Sequence, residues 1–278
     1  MAVLLALLTA CVYGTADYMG GRATRRVPPI VVTFVGQFFG MVILGVIALS
    51  SGVDAPPAAD WGWSAVAGIV GSTGLLAFYS AMSAGHMTVV APVAAVLNAL
   101  VPVAAGLIQG ERPGALAMVA IPLALLAIAL ISDVLGPGHH RAPARVVLMA
   151  AVGGSMFGLI LVALHQTSEG SGVWPVLIMR FVSTPWMLVL VLVTRQRFGA
   201  VRENRATVLG SGILDSLANW FYVLAVRQGL LSVVSVIVSL YPGSTMLLAV
   251  GLDKERIHRS QAFGVVLAGT ALVLITLG

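Results

Sequence analysis

The apolar stretch at residues 89–112, VVAPVAAVLNALVPVAAGLIQGER, is written a second time at 233–256 as VVSVIVSLYPGSTMLLAVGLDKER. The two copies align without a gap at an offset of 144 residues, and both end on Glu-Arg. Glycines outside the two stretches repeat at the same offset: Gly14 with Gly158, Gly68 with Gly212, and Gly85 with Gly229. A repeat of this length indicates two copies of one structural unit, each about half of the chain.

The composition excludes a water-soluble globular protein. Hydrophobic residues make up 59% of the 278 residues, charged residues only 9%, and the mean hydropathy is +1.03. A soluble domain carries roughly 25% charged residues, so this chain has too few polar groups to cover a surface in water. The net charge of +5 does not indicate nucleic-acid binding, because the basic residues lie in short loops between apolar runs.

Ten apolar segments are long enough to cross a bilayer, which requires about 20 residues each. Five segments fall in each half of the chain, and an odd number reverses the orientation of the second half. We therefore predict an all-α integral membrane protein with ten transmembrane helices in two inverted five-helix repeats. The repeats occupy 1–135 and 145–278, joined by a loop at 136–144, and form one membrane domain. The predicted helices are 2–20, 30–50, 62–83, 88–108, 114–133, 145–165, 174–194, 206–226, 232–252 and 260–277.

The loop charges predict the orientation. Twelve of the 15 Lys and Arg residues fall on one face of the predicted bundle, while the other face receives only Arg112 and Arg227. Arg180 lies inside the seventh helix. Basic loops face the cytoplasm, so we predict a multi-pass protein of the cytoplasmic membrane with both termini outside.

The chain resembles the ten-helix EamA-type carriers of the drug/metabolite transporter superfamily. The resemblance rests on the two five-helix halves, on the Gly-Glu-Arg and Lys-Glu-Arg ends at 110–112 and 254–256, and on Tyr13-Gly14 with its counterpart Phe157-Gly158. It implies transport of small metabolites, amino acids or drugs by alternating access. It also implies a central cavity lined mainly by the third, fourth, eighth and ninth helices.

Asp215 is the strongest candidate for a functional residue. It lies about nine residues into the eighth helix, roughly 14 Å from its start at 1.5 Å per residue, near the bilayer midplane. Asn219 and Tyr222 follow on the same helical face, so the three residues form one polar stripe. The stripe predicts substrate binding or proton coupling, but Asp215 could instead be a structural partner of Arg180. Arg180 could pair with Asp215, extend to the membrane interface, or bind an anionic substrate.

Further polar residues in the apolar helices are candidates for the substrate site. Asn98 lies between Pro92 and Pro102, and these residues either line a cavity or hold helices together. The remaining candidates are Ser235, Ser239, Tyr79 and Tyr241, although the tyrosines could equally be interfacial or core aromatics.

Three acidic residues near helix ends are candidates for gates or helix-end anchors. Glu111 and Glu255 end equivalent helices on opposite faces of the predicted bundle, each just before an Arg. Asp17 lies near the cytoplasmic end of the first helix, where it is either interfacial or functional.

These features predict a secondary-active or facilitative transporter of small organic solutes. Proton-coupled efflux is one mode of transport that fits this prediction. The alternatives are a lipid-linked sugar flippase and a non-transporting sensor or scaffold. A membrane enzyme is disfavoured because the sequence has no HExxH or GxSxG motif and only one Cys. The sequence has no phosphate-binding loop for ATP, and we predict no cofactor or metal. The partners are the solute and the lipid bilayer, with no nucleic acid, and the protein is a monomer or a homodimer.

Overall fold

The computed structural model describes residues 1–83, 87–131, 143–254 and 257–277, and the regular secondary structure within these ranges is helical. Two short 3₁₀ turns accompany the α-helices. The α-helices are α1 (Ala2–Thr24), α2 (Pro29–Ser51), α3 (Ala58–Ser83), α4 (Met87–Ile108), α5 (Ala115–Ile131), α6 (Ala144–His165), α7 (Trp174–Val193), α8 (Arg205–Val226), α9 (Leu231–Val238), α10 (Tyr241–Asp253) and α11 (Arg259–Leu277).

Eight segments within the described ranges are long and apolar enough to cross a membrane, counting α9 and α10 together as one. Two shorter apolar segments, Val93–Ile108 and Ala115–Ile131, complete the set. Backbone N–H and C=O groups have no water to bond in lipid, so apolar runs of this length form helices. The prediction of an all-helical membrane protein is confirmed. The predicted connecting loop at 136–144 lies mostly outside the described residues.

The ninth predicted helix is not continuous, which corrects the prediction of one helix over 232–252. It divides into α9 and α10 at residues 239–240. Pro242 has no N–H to donate to the carbonyl of Val238, so the α-helical ladder is interrupted there. Hydrogen bonds that span three residues instead of four replace it: Leu240 N donates to Ile237 O at 3.1 Å, and Gly243 N donates to Leu240 O at 2.9 Å.

The helices of one half pack mainly on helices of the other half, in reciprocal pairs. α1 packs on α8 as α6 packs on α3, and α2 packs on α8 as α7 packs on α3. α4 contacts α6 as α10 and α9 contact α1, while α5 pairs with its own counterpart α11. A two-fold axis between two similar halves produces this pattern. The halves are therefore interleaved.

Repeated glycines make the closest of these reciprocal contacts. A Cβ on Gly68 of α3 would lie 2.6 Å from the carbonyl oxygen of Met179 on α7. Its repeat counterpart, Gly212 of α8, lies so close to Gly36 of α2 that a Cβ would collide with the α2 backbone. Glycine at both positions allows the helix backbones to approach closely, as small residues do in membrane bundles.

The two ends of the bundle differ in packing. We call the end with loops 25–28 and 194–204 the basic face, and the end with loops 52–57, 109–114, 166–173 and 227–230 the opposite face. Buried apolar side chains fill the bundle toward the opposite face, among them Ala6, Leu44, Leu164, Val226 and Leu231. A large packed core therefore fills the opposite face, while smaller buried clusters around Val31 and Val208 and around Val90 and Val146 lie toward the basic face.

Candidate functional site

A cavity occupies the middle of the bundle, and its wall has residues toward both faces: Leu161 and Met179 lie near the ends of α6 and α7 at the opposite face. It contains about 1020 Å³ of space free of protein atoms, part of it open to solvent. It reaches Thr33 in the first turns of α2 and Ser211 in the second turn of α8. Among the described side chains, α1, α2, α3, α6, α7 and α8 supply most of the wall, while α4, α9 and α10 supply one residue each. For these side chains the expected main contribution of the fourth and ninth helices is therefore wrong, because those helices pack mostly outside the cavity wall.

An ion pair lies in the cavity wall between α7 and α8. Arg180 Nη2 donates to Asp215 Oδ2, and Arg180 Nε donates to Ser216 Oγ at 3.1 Å. The arginine side chain is 5% exposed, whereas the aspartate side chain is 42% exposed. A buried guanidinium in an apolar bundle requires such partners, because its desolvation is costly. Of the alternatives for Arg180, the structure has the pairing with Asp215, and Arg180 therefore does not extend to the interface.

The polar stripe predicted on α8 is split. Asp215 and Asn219 line the cavity. Asn219 Nδ2 donates to the backbone carbonyl of Asp215 at 2.8 Å, and its Oδ1 is buried without a partner in the described part of the chain. Tyr222 does not line the cavity: it is 0% exposed, and its hydroxyl donates to Leu161 O of α6 at 2.7 Å. Tyr222 lies about one helical turn beyond Asn219, and its side chain points between α8 and α6 rather than into the cavity.

Asp17 and Tyr241 face the same cavity from the α1 side of the bundle. Asp17 is exposed and lines the cavity, although its sequence position suggested a gate or a helix end. Its carboxylate interacts electrostatically with that of Asp215 and with the hydroxyl of Tyr241. Tyr13, one turn before Asp17, also lines the cavity. Two carboxylates and two phenols thus surround one space.

The other predicted site residues lie at or beyond the edge of the cavity. Asn98 of α4 lines it, and its Nδ2 donates to Ser239 Oγ at 3.1 Å, at the break between α9 and α10. Ser239 and Ser235 are fully buried and do not belong to the wall. Tyr79 belongs to α3, but its side chain lies outside the described part of the chain.

Among the polar wall residues that the sequence analysis missed, two are buried and have unpaired polar atoms. Gln37 of α2 is 7% exposed and Ser183 of α7 is 1% exposed. Both line the cavity, and Gln37 Oε1 and Ser183 Oγ are buried without hydrogen-bond partners within the described ranges. Gln37 could have been found, because it is the only amide in the apolar sequence of α2. Ser183 has no comparable signal, since serine is common in membrane helices.

Glu111 acts as a cap for another helix. Its carboxylate accepts bonds from Leu231 N at 2.5 Å and from Ser232 N at 2.9 Å, at the start of α9. A negative charge at a helix N-terminus satisfies unpaired N–H groups and interacts favourably with the helix dipole. Glu255, its repeat counterpart in the sequence, lies outside the described residues.

A polar network joins the loops of the opposite face. Asp60 is 1% exposed and accepts bonds from Ser168 N at 3.0 Å and from the hydroxyls of Ser168 and Ser171. Arg227 donates to the carbonyl and the hydroxyl of Thr167. These bonds connect α3, α8 and the α6–α7 loop, so they hold the opposite face closed. Sequence analysis missed Asp60, which resembled an ordinary loop acid before the third helix.

Comparison with known proteins agrees with the fold. A family model described as the EamA-like transporter family matches the chain over residues 1–133 and again over 144–277. A crystal structure that is 17% identical in sequence superimposes with a TM-score of 0.82, covering 99% of this chain and 96% of that one. At this identity the likeness shows the fold alone. No curated protein matches the sequence.

Proposed function

Because the chain belongs to the EamA-like transporter family, we propose that it carries a small organic solute across the cytoplasmic membrane by alternating access through the central cavity. The observation that supports this most is the set of charged and polar side chains facing an open space inside an otherwise apolar bundle. Ionisable groups within a membrane are costly, and they usually mark a substrate or ion pathway.

The asymmetry between the two faces supports alternating access. Asp60 and Glu111 bond across the opposite face, and in our proposal the cavity opens at the basic face, where it reaches Thr33 in the first turns of α2. In our proposal the basic face is cytoplasmic and both termini are outside, so this conformation is open inward. An outward-open state then requires the bonds of Asp60 and Glu111 to break and the helices near the basic face to close.

The reciprocal packing of the two halves suggests how this closure happens. In our proposal the halves are inverted relative to each other, so exchanging the packing of one half for that of the other exchanges the open face. The glycine contacts between α2 and α8 and between α3 and α7 are surfaces on which helices can shift with little steric cost.

Proton coupling through Asp215 is a separate proposal. Asp215 is bonded to Arg180 in this conformation, so protonation of the carboxylate has to compete with that ion pair. Solute-driven pH change in liposomes tests it: a proton flux that is lost in Asp215→Asn, while labelled solute still exchanges, is the expected result. Undiminished proton flux in Asp215→Asn contradicts it.

Cysteine labelling in a Cys11→Ser background tests the inward-open cavity. Leu75 lines the cavity, Asp54 is exposed in the 52–57 loop and Arg197 is exposed in the 194–204 loop. A membrane-impermeant thiol reagent should label Leu75→Cys from the same side as Arg197→Cys, and a transported solute should slow that labelling. Labelling from the side of Asp54→Cys, or no effect of any solute that exchanges, contradicts the proposal.

A further inference from the structure

The accessible charge of the cavity is negative. The guanidinium of Arg180 is 5% exposed and is occupied by Asp215 and Ser216. Asp17 is exposed in the same wall, and 42% of the Asp215 side chain remains exposed beside its ion pair. A solute entering the cavity therefore meets two carboxylates and a cation that is already bound. This arrangement repels an anion and compensates the lost hydration of a cation.

The unpaired polar atoms of the wall add hydrogen-bond acceptors. Asn219 is 4% exposed, and because its Nδ2 donates to Asp215 O, the atom left without a partner among the described residues is the acceptor Oδ1. Gln37 Oε1 is a second buried acceptor in the cavity wall that no described residue bonds, and the Ser183 hydroxyl, which can accept or donate, is also unpaired there. Buried acceptors without donors cost about 1–3 kcal/mol each unless a ligand or water satisfies them. They favour a ligand with several N–H donors.

Aromatic rings complete the wall. Tyr13, Tyr241 and Phe157 line the same space as the carboxylates. An organic cation placed near the face of an aromatic ring is attracted by the ring electrons, and this attraction grows when water is excluded. Carboxylates, amide oxygens and aromatic rings together make up the usual chemistry for recognition of an ammonium group on an apolar body.

We propose that the cavity selects a small monovalent organic cation bearing N–H groups, such as a primary amine, with Asp17 and Asp215 facing the charge and Asn219 and Gln37 accepting its hydrogen bonds. This inference rests on the transport function proposed above and names its substrate class. A zwitterionic amino acid fits less well, because its carboxylate would have to take Arg180 away from Asp215.

Direct binding to the purified protein in detergent tests the proposal with compounds matched in shape. The probes are the amine, alcohol and carboxylate of two sizes: butylamine, butanol and butyrate, and 2-phenylethylamine, 2-phenylethanol and phenylacetate. At neutral pH the amines should raise the melting temperature in a concentration-dependent way and the others should not. Equal or greater stabilisation by the alcohols or carboxylates overturns the proposal, as does the absence of stabilisation by either amine.

The charge and the N–H groups are tested separately. Asp17→Asn removes one exposed carboxylate that bonds no described residue, and it should weaken amine binding about tenfold. Glu203→Gln, an exposed acid outside the cavity, is the matched control and should bind like wild type. N,N,N-trimethyl-2-phenylethylammonium has the same charge but no N–H, and it should bind several-fold more weakly than the primary amine. Unchanged binding in Asp17→Asn, or tighter binding of the quaternary compound, overturns the assignment.

Counterflow in proteoliposomes separates this inference from the transport function. Exchange of labelled 2-phenylethylamine supports both. Amine binding without exchange leaves the cation site standing and contradicts transport of this substrate class. Exchange of the neutral or anionic compounds without the amine keeps the transporter and overturns the cation site.

Discussion

The two halves of this protein share a framework but differ in the charges that they place in the cavity. Gly68 and Gly212 are repeat counterparts, and each brings its helix against the equivalent neighbour in the other half. By contrast, the repeat positions of Arg180 and Asp215 are Gly36 and Gly71, and both glycines also line the cavity. The framework is thus symmetric where backbones touch and asymmetric where side chains meet a solute.

The third cavity charge shows the same asymmetry in the other direction. Asp17 of the first half has Leu161 as its repeat counterpart, and both line the cavity. Each cavity charge is therefore present in one half only. Alternating access requires two similar halves, whereas recognition of a solute does not, because a small solute has no two-fold symmetry of its own.

Removing the charge difference between the halves should have the largest effect. Asp215→Leu leaves the buried guanidinium of Arg180 without its counter-charge. We expect a loss of about 3 kcal/mol in stability, toward the lower end for a broken buried pair because Asp215 is partly exposed. The double variant Arg180→Met/Asp215→Leu should recover most of this stability but not amine binding. Melting temperatures of the two single variants and the double variant measure these changes in stability. If the losses of the single variants add up in the double variant, Arg180 and Asp215 are not coupled.

The framework symmetry is tested by paired glycine variants. Gly68→Ala and Gly212→Ala each place a Cβ against a neighbouring backbone, so each should destabilise by about 1–3 kcal/mol through overpacking. Gly269→Ala is the control, because a Cβ there meets no atom within 4 Å. Thermal melts in detergent measure all three. If one of the paired variants matches the control while the other fails, the reciprocal contacts are not equivalent.

Glu111 and its repeat counterpart Glu255 allow a comparison of the two halves. Glu111→Ala leaves two N–H groups of α9 unpaired, which should cost about 1–2 kcal/mol in the closed form of the opposite face. Labelling of Leu75→Cys from the side of the opposite face should therefore rise. Glu255→Ala is the matched variant at the repeat position and should not raise it. Equal labelling changes in the two variants argue against a face-specific role for Glu111.

The smallest effect should come from the ion pair at the basic face. Arg22 Nη1 lies 2.5 Å from Asp253 Oδ1, and the two side chains are 47% and 24% exposed. Exposed pairs contribute little to stability, because water screens them and two side chains lose freedom. Asp253→Asn should shift the melting temperature little and leave amine binding unchanged. A loss of stability as large as that of Asp215→Leu would contradict the distinction between the ion pair in the cavity and the one at the basic face.

Much of the fold could be predicted from the sequence, and some of the site could be too. The ten apolar segments and the repeat could be identified in the sequence, because helix formation in lipid depends on local composition. Asp215 was readable as well, since a carboxylate in the middle of an apolar run is costly anywhere in the bilayer. The break after α9 could be predicted only in part. Pro242 indicates a disturbed helix, but whether a proline kinks a helix or divides it depends on which groups its neighbours can bond.

The rest of the site depended on helix rotation and neighbours. Asp17 and Glu111 were both placed near helix ends, yet one faces the cavity and the other caps α9 of the opposite half. Tyr222 shares a helical face with Asp215 in sequence, but α6 covers it. Small angular differences along one helix decide between cavity and packing, and the hydrophobic pattern does not report them in a bundle that is apolar on nearly every face.

The sequence by itself determined that this chain spans the membrane as two related halves, because each helix satisfies its own backbone and each half repeats the same order of residues. Only the tertiary structure decided which polar groups meet. Arg180 and Asp215 come from neighbouring helices, and Glu111 reaches a helix 120 residues away in sequence. Such contacts depend on how helices are turned toward each other, and that is determined by the close glycine contacts and the packed core at the opposite face.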